Sequence, residues 1–251
     1  MPVRNLSVMT TTALDVRRTF NVTQETRFHF NGWFSKRKHV VDHVMAHTTD
    51  TVLRLAPEEV VDACLSTPGA GPPPDVVDIR EWRPEFAFTH VAHHVVETLG
   101  RLPGWDEFRE FCETDDRTRS MLWTPAQEAI ADARADKAQA RDAMRRKVLA
   151  DFTAFLRDTY VVAELRRNGL DVRVHPLADV VFQVDAWVER LILNPRGGAQ
   201  RSEALLVHAM PPFFFHDLGF TESEHVGGVP LPTRAQLGRA VRSLRAILYP
   251  R

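Results

Sequence analysis

Cysteine is nearly absent from this chain: Cys64 and Cys112 are its only two, they lie far apart, and no C-x-x-C spacing exists. A disulfide framework and a thiolate zinc site are thereby excluded as expectations, and both thiols read as small apolar residues of a core. Charge of one sign is also lacking, because 33 acidic residues face 32 basic ones. With a formal net charge of −1 there is no long-range field to steer a polyanion, so any nucleic-acid site must be a local basic patch. No apolar run approaches the ~20 residues that span a bilayer. Met1–Thr12 has no apolar core of leader length, so the expected address is the cytoplasm and no membrane partner is expected. Glycine is sparse, at 12 residues, and forms neither kind of phosphate-cradling loop; Gly197-Gly198 and Gly227-Gly228 read as turns. A Gly-x-Ser-x-Gly elbow is missing too, which argues against a serine hydrolase.

What is present describes a folded chain, with 44% apolar and 26% charged residues and no internal repeat. The pattern predicts an α+β protein: a mainly helical N-terminal two-thirds, then a small mixed β-sheet with flanking helices in the C-terminal third. Segments 1–70, 75–150 and 151–251 are the candidate units, or one compact domain. Arg27-Phe28-His29-Phe30 alternates like a strand before the turn signal Asn31-Gly32. Helices are predicted over about 36–48, 57–64, 86–99, 105–112 and 125–168, the last broken near Lys147. Pro68, Pro72, Pro73 and Pro74 with Gly69 and Gly71 make 66–74 a loop. Strands are predicted at 171–175, 179–188, 190–194 and 204–208 and around Phe213-Phe214-Phe215, with a final helix over 233–248.

The stretch from Tyr160 to Arg196 carries the main functional lead. A helix with Glu164 ends at Gly169, an edge strand reaches His175-Pro176, and Asp179 to Trp187 follows as an apolar run interrupted by Gln183 and Asp185. On a strand those two project to one side with Val181 and Trp187. Buried polar groups cost about 1–3 kcal/mol when unpaired, so a polar pair there implies either a site or local backbone bonding.

This order of elements resembles the PD-(D/E)XK nuclease superfamily, the restriction-endonuclease-like fold, over roughly residues 155–196. In that family a helix with a glutamate precedes a strand with a metal-binding aspartate, and the next strand carries an acidic residue, a spacer and a lysine. The matching positions are Glu164, Asp185 and Asn194-Pro195-Arg196. The resemblance implies Mg²⁺-dependent phosphodiester hydrolysis, with Glu164 and Asp185 as ligands and Gln183 and Arg196 near the scissile phosphate. Here the acidic-x-Lys element is replaced: Asn194 lacks the carboxylate's charge, and arginine is too basic to act as a general base. Glu189 and Glu203 are the acids close enough in sequence to migrate into that place. The alternative function is a catalytically silent binding or scaffold protein, forming a homodimer.

Two other groupings compete. His39, His43 and His47 recur at helical spacing, as do His90, His94 and Glu97, and a zinc or iron site from His39, His43, His90, His94 and Glu97 would give a metal-dependent hydrolase. Nucleic-acid contact is expected from Lys36, Arg37 and Lys38 beside Trp33 and Phe34, and from Arg166 and Arg167, with Arg145-Arg146-Lys147 a further basic run. Gly100 to Phe108 resembles the Gly-x-Leu-Pro helix-joining turn of small DNA-binding modules, including repeats associated with homing endonucleases.

Overall fold

The computed structural model describes residues 10–20, 37–69, 71–72, 74–195, 203, 206 and 212–250. Strand β1 (Thr11–Thr12) runs into α1 (Ala13–Thr19), where Thr12 and Asp15 cap each other reciprocally. After α2 (Lys38–Ala46), β2 (Thr48–Thr49) returns antiparallel to β1, with Thr11 opposite Thr49. Helices α3 (Thr51–Arg54), α4 (Pro57–Leu65), α5 (Val77–Glu81), α6 (Phe88–Leu99), α7 (Trp105–Thr114) and α8 (Asp116–Thr118) follow. A π-helical turn, Arg119–Trp123, leads into α9 (Thr124–Asp132).

The helix predicted over 125–168 with a break near Lys147 is two helices, but the break falls earlier, at 133–136. The first stops at Asp132, and α10 (Lys137–Arg167) restarts because the Asp136 carboxylate accepts the N–H groups of Ala138 and Gln139 at 2.9 and 3.2 Å. From there 31 residues run unbroken past Lys147. Gly169, at φ 79°, ends the helix: its N–H reaches the Arg166 carbonyl at 2.8 Å while that of Leu170 reaches Leu165 at 3.2 Å.

The predicted strand 179–188 is divided: its first four residues, Asp179 to Phe182, are helix. Pro176 has no N–H to give a ladder but suits a first helical turn, and α11 (Pro176–Phe182) grows from it. Only β3 (Ala186–Val188) is strand; it pairs antiparallel with β4 (Leu191–Asn194), which pairs parallel with β5 (Phe214–Asp217). The predicted 171–175 strand shrinks to a bridge between Arg173 and Trp187 on the outer side of β3. A hairpin, β6 (Ser223–Val226) with β7 (Val229–Pro232), precedes α12 (Arg234–Leu248). The 27–30 strand, its turn and most of 204–208 lie outside the described residues.

Alternation along β3 and β4 sorts side chains between two cores. Ala186, Val188, Leu191 and Leu193 join the largest cluster with Phe152, Leu156 and Leu165 of α10, while Trp187 and Ile192 face Phe20, Phe182 and Phe213. Phe20 stacks on both neighbours, at 4.8 Å to Phe182 and 5.2 Å to Phe213. The largest cluster draws on Val52, Val95 and Leu193 alike, so the three sequence segments share one core. A smaller cluster joins Ala140, Ala143 and Met144 of α10 to α5 and α9. No helix among the described residues is long and apolar enough to cross a membrane.

Gly227 and Gly228 are more than a turn. The β6–β7 hairpin docks so tightly that a Cβ on Gly227 would lie 2.0 Å from the Cys64 carbonyl oxygen, and one on Gly228 2.2 Å from that of Pro68. The Gly228 N–H also donates to the Thr67 carbonyl at 2.8 Å.

Candidate functional site

Where α11 begins, the chain folds around His175. Its Nδ1 accepts the Leu177 N–H at 3.0 Å and its Nε2 donates to the His47 carbonyl at 3.1 Å. Both nitrogens are thus committed, which fixes one neutral tautomer. Burial lowers this imidazole to about 4.

A cavity of about 50 Å³ opens beside it, walled by α10, α11 and the start of β3. That is room for a few water molecules. Asp158 of α10, Asp179 of α11 and Asp185 before β3 line it together with His93, His175 and Thr89. The Thr89 hydroxyl donates to Asp179 Oδ2 at 2.5 Å, and Asp158 lies 3.2 Å from the Arg157 guanidinium. Because Ala186 pairs with Leu193, one further step of the same register sets Asp185 opposite Asn194. Asn194 is buried, and its Nδ2 has no hydrogen-bond partner among the described residues.

Behind the cavity the histidines form a chain of rings. His94 and His43 are 5.5 Å apart, His43 and His47 6.0 Å, and His47 lies 5.8 Å from His93 and 5.6 Å from His175. Burial first, and neighbouring imidazoles after it, push His47 down to about 2 and His93 to about 3. Burial likewise takes His90 to about 3 and His43 to about 4. All are neutral at pH 7. His93, whose Nδ1 is buried without a partner, is the cavity imidazole not already committed at both nitrogens.

Of the expected nuclease residues that are described, only Asp185 lines this cavity. Glu164 faces away: it is 6% exposed and its Oε1 accepts from Arg167 at 2.5 Å, with Tyr160 also bonded to it. The α10 acid on the cavity side is Asp158, a turn and a half earlier, which the sequence reading passed over. Gln183 is exposed and ends α11 at φ 54°, so it does not share a face with Asp185. Glu189 is exposed in the β3–β4 turn at φ 50°, and Glu203 is exposed, so neither fills the vacant acidic place. Arg196 lies outside the described residues.

The histidine–glutamate metal set is also dispersed. His39 pairs with Glu85 at the surface at 2.7 Å, and both nitrogens of His90 are buried without partners. Glu97 accepts the N–H groups of Asp50, Thr51 and Val52 at 3.0, 2.8 and 3.1 Å, capping α3. Glu97→Ala should therefore cost about 2–3 kcal/mol of stability, read as a lower urea midpoint at unchanged slope. An unmoved midpoint would remove the capping role. Among the described residues no three His, Cys, Asp or Glu side chains are placed to hold a metal ion.

The expected basic contacts are mostly occupied. Arg166 is buried and donates to the carbonyls of Leu53 and Val172 at 2.8 and 2.7 Å. Arg167 pairs with Glu58 and Glu164, Lys38 with Asp42 at 2.6 Å, and Arg37 donates to the Glu85 carbonyl at 3.4 Å. Lys36 lies outside the described residues. An uncompensated basic face lies elsewhere among the described residues. From Thr233 to Arg251 there is no acidic residue, and α12 exposes Arg239, Arg242 and Arg245 at three-residue spacing, with Tyr249 exposed beyond them. Arg245 Nη2 donates to the Asn168 carbonyl at 2.5 Å, whereas Arg239 and Arg242 have no carboxylate partner among the described residues. That signal was legible in the sequence as a helix bearing arginines and no acid.

No protein-family model, curated protein or solved structure matches this chain.

Proposed function

We propose that this protein binds nucleic acid on a core laid out like that of the PD-(D/E)XK nucleases, using the arginine face of α12 and without divalent-metal catalysis. The observation that carries the reading is that acid-free arginine stripe ending in an exposed tyrosine, a pairing of phosphate-binding charge with a base-stacking surface. The layout supports it: a long helix with an inward acid, Asp158, precedes a strand opening on Asp185, and the next strand ends at Asn194 opposite. An amide where that family carries an acid lowers the charge available to a cation and lets the core persist without one.

Binding of labelled duplex and single-stranded DNA followed by anisotropy from 50 to 200 mM salt tests this. A negative log–log slope is expected, and Arg239→Ala with Arg242→Ala should reduce its magnitude by about 2, near one unit per lost phosphate contact. Equal affinity and slope in the double variant would overturn the assignment of α12. The same DNA incubated with Mg²⁺ addresses hydrolysis: cleavage that Asp185→Asn abolishes would replace the binding reading with an enzymatic one.

A further inference from the structure

On the opposite part of the helical layer, α7, the π-helical turn, α9 and α10 enclose a second cavity of about 300 Å³, of the size that accepts small molecules. Its floor is apolar, with Phe108, Leu122 and Met144 among its walls, and Trp105 and Trp123 flank it. Arg109, Arg141 and Arg145 belong to its lining, and no aspartate or glutamate does. Burial pushes the Cys112 thiol in the wall up to about 12, so it adds no negative charge.

Three observations point to a guest. Trp105 is 2% exposed and its indole N–H has no acceptor among the described residues, although a buried tryptophan ordinarily finds one. Arg141 and Arg145, one turn apart, have no carboxylate partner among the described residues, while Arg109, Arg146, Arg134 and Arg101 are paired with Asp106, Asp142, Asp78 and Glu107. The wide π-helical turn carries both Leu122 and Trp123 of the cavity wall, and such turns recur at binding sites.

We infer that this cavity binds a small carboxylate with an apolar body, its carboxylate held between Arg141 and Arg145 and its body laid along Trp105, Leu122 and Met144. A bare inorganic anion would leave the apolar walls unused, and a neutral hydrocarbon would leave Arg141 and Arg145 without a counter-charge, Arg109 being paired with Asp106 at 3.7 Å. The body is either a flat aromatic or a medium-length alkyl chain.

The experiment titrates the full chain with 2-naphthoate and with decanoate, following tryptophan fluorescence and isothermal calorimetry, with decanol and inorganic phosphate as controls. At least one carboxylate should bind tighter than decanol and phosphate by about tenfold, and which one binds identifies the body. Arg141→Gln with Arg145→Gln should weaken that carboxylate by about tenfold or more and leave decanol unchanged; both residues are exposed, so the fold is retained. Trp105→Phe keeps the ring and removes the N–H, and loses affinity with the fold verified by circular dichroism. Decanol binding as tightly as decanoate, no carboxylate binding below about 1 mM, or an arginine double variant that binds like the parent would each overturn the inference.

Discussion

Acidification from pH 7 to about 5 should unfold this protein. Folded, His43, His47, His90, His93 and His175 stay unprotonated down to about 4 or below because burial penalises their charged form. Unfolded, each returns to its ordinary value of about 6.5 and takes up a proton that the folded chain refuses. Between those values the unfolded state binds more protons, so stability is complete above about 6.5 and is lost as the pH falls. One such histidine loses up to about 1.4 kcal/mol per pH unit, and five lose up to about 10 kcal/mol by pH 5, against a total stability of about 5–15 kcal/mol. Circular dichroism and tryptophan fluorescence across pH 4–8 measure the midpoint. His90→Leu should move it to lower pH, because it removes one of the refused protons at a fully buried site where neither nitrogen has a partner. A chain that remains folded at pH 4.5 with its urea midpoint unchanged would mean that these imidazoles are not held neutral in the core.

Gly227→Ala is expected to be the most damaging single substitution outside that cluster. The new methyl would meet the backbone of Cys64 at 2.0 and 2.9 Å and of Leu65 at 3.1 Å, and backbone cannot swing aside as a side-chain tip does. Its φ of 56° adds the left-handed cost of about 1 kcal/mol that alanine bears and glycine does not. Together these put the loss at about 3 kcal/mol or more, seen as a fall of roughly 10 °C or more in Tm. Gly69→Ala is the control, because nothing lies within 4 Å of its added carbon. If both variants melt like the parent, the hairpin does not dock on α4 as described.

What the sequence disclosed follows the range of the forces involved. Helices with an amphipathic face and a local stop, such as Phe88–Leu99 ending at Gly100 and Arg234–Leu248 starting at Thr233, were readable because both signals lie within a few residues. The stretch Asp179 to Trp187 misled because its apolar run fits a strand and a buried helix equally, and Pro176 with the His175 cap settles the matter in favour of a helix. Asp185 drew attention in the sequence because an acid in an apolar run is conspicuous, and it lines the cavity. Its cavity partner Asp158 was not, because only the rotation of α10 against the sheet distinguishes it from Glu164, and that rotation is set by packing of Phe155, Leu156 and Val162. The histidine repeats were visible as helical spacing, but their chemistry depended on burial depth, a tertiary property. Spacing suggested a shared face; packing buries His43, His47 and His90 and leaves His39 at the surface with Glu85.

The helix Lys137–Arg167 has a further consequence, for amide exchange. Its first turns, Ala140 to Met144, are anchored only in the small cluster with α5 and α9, whereas Phe152 to Leu165 run through the largest core. Protection therefore grades along a single rod: the amino-terminal quarter opens with its satellite on a short timescale, and the carboxy-terminal half exchanges only when the whole chain does.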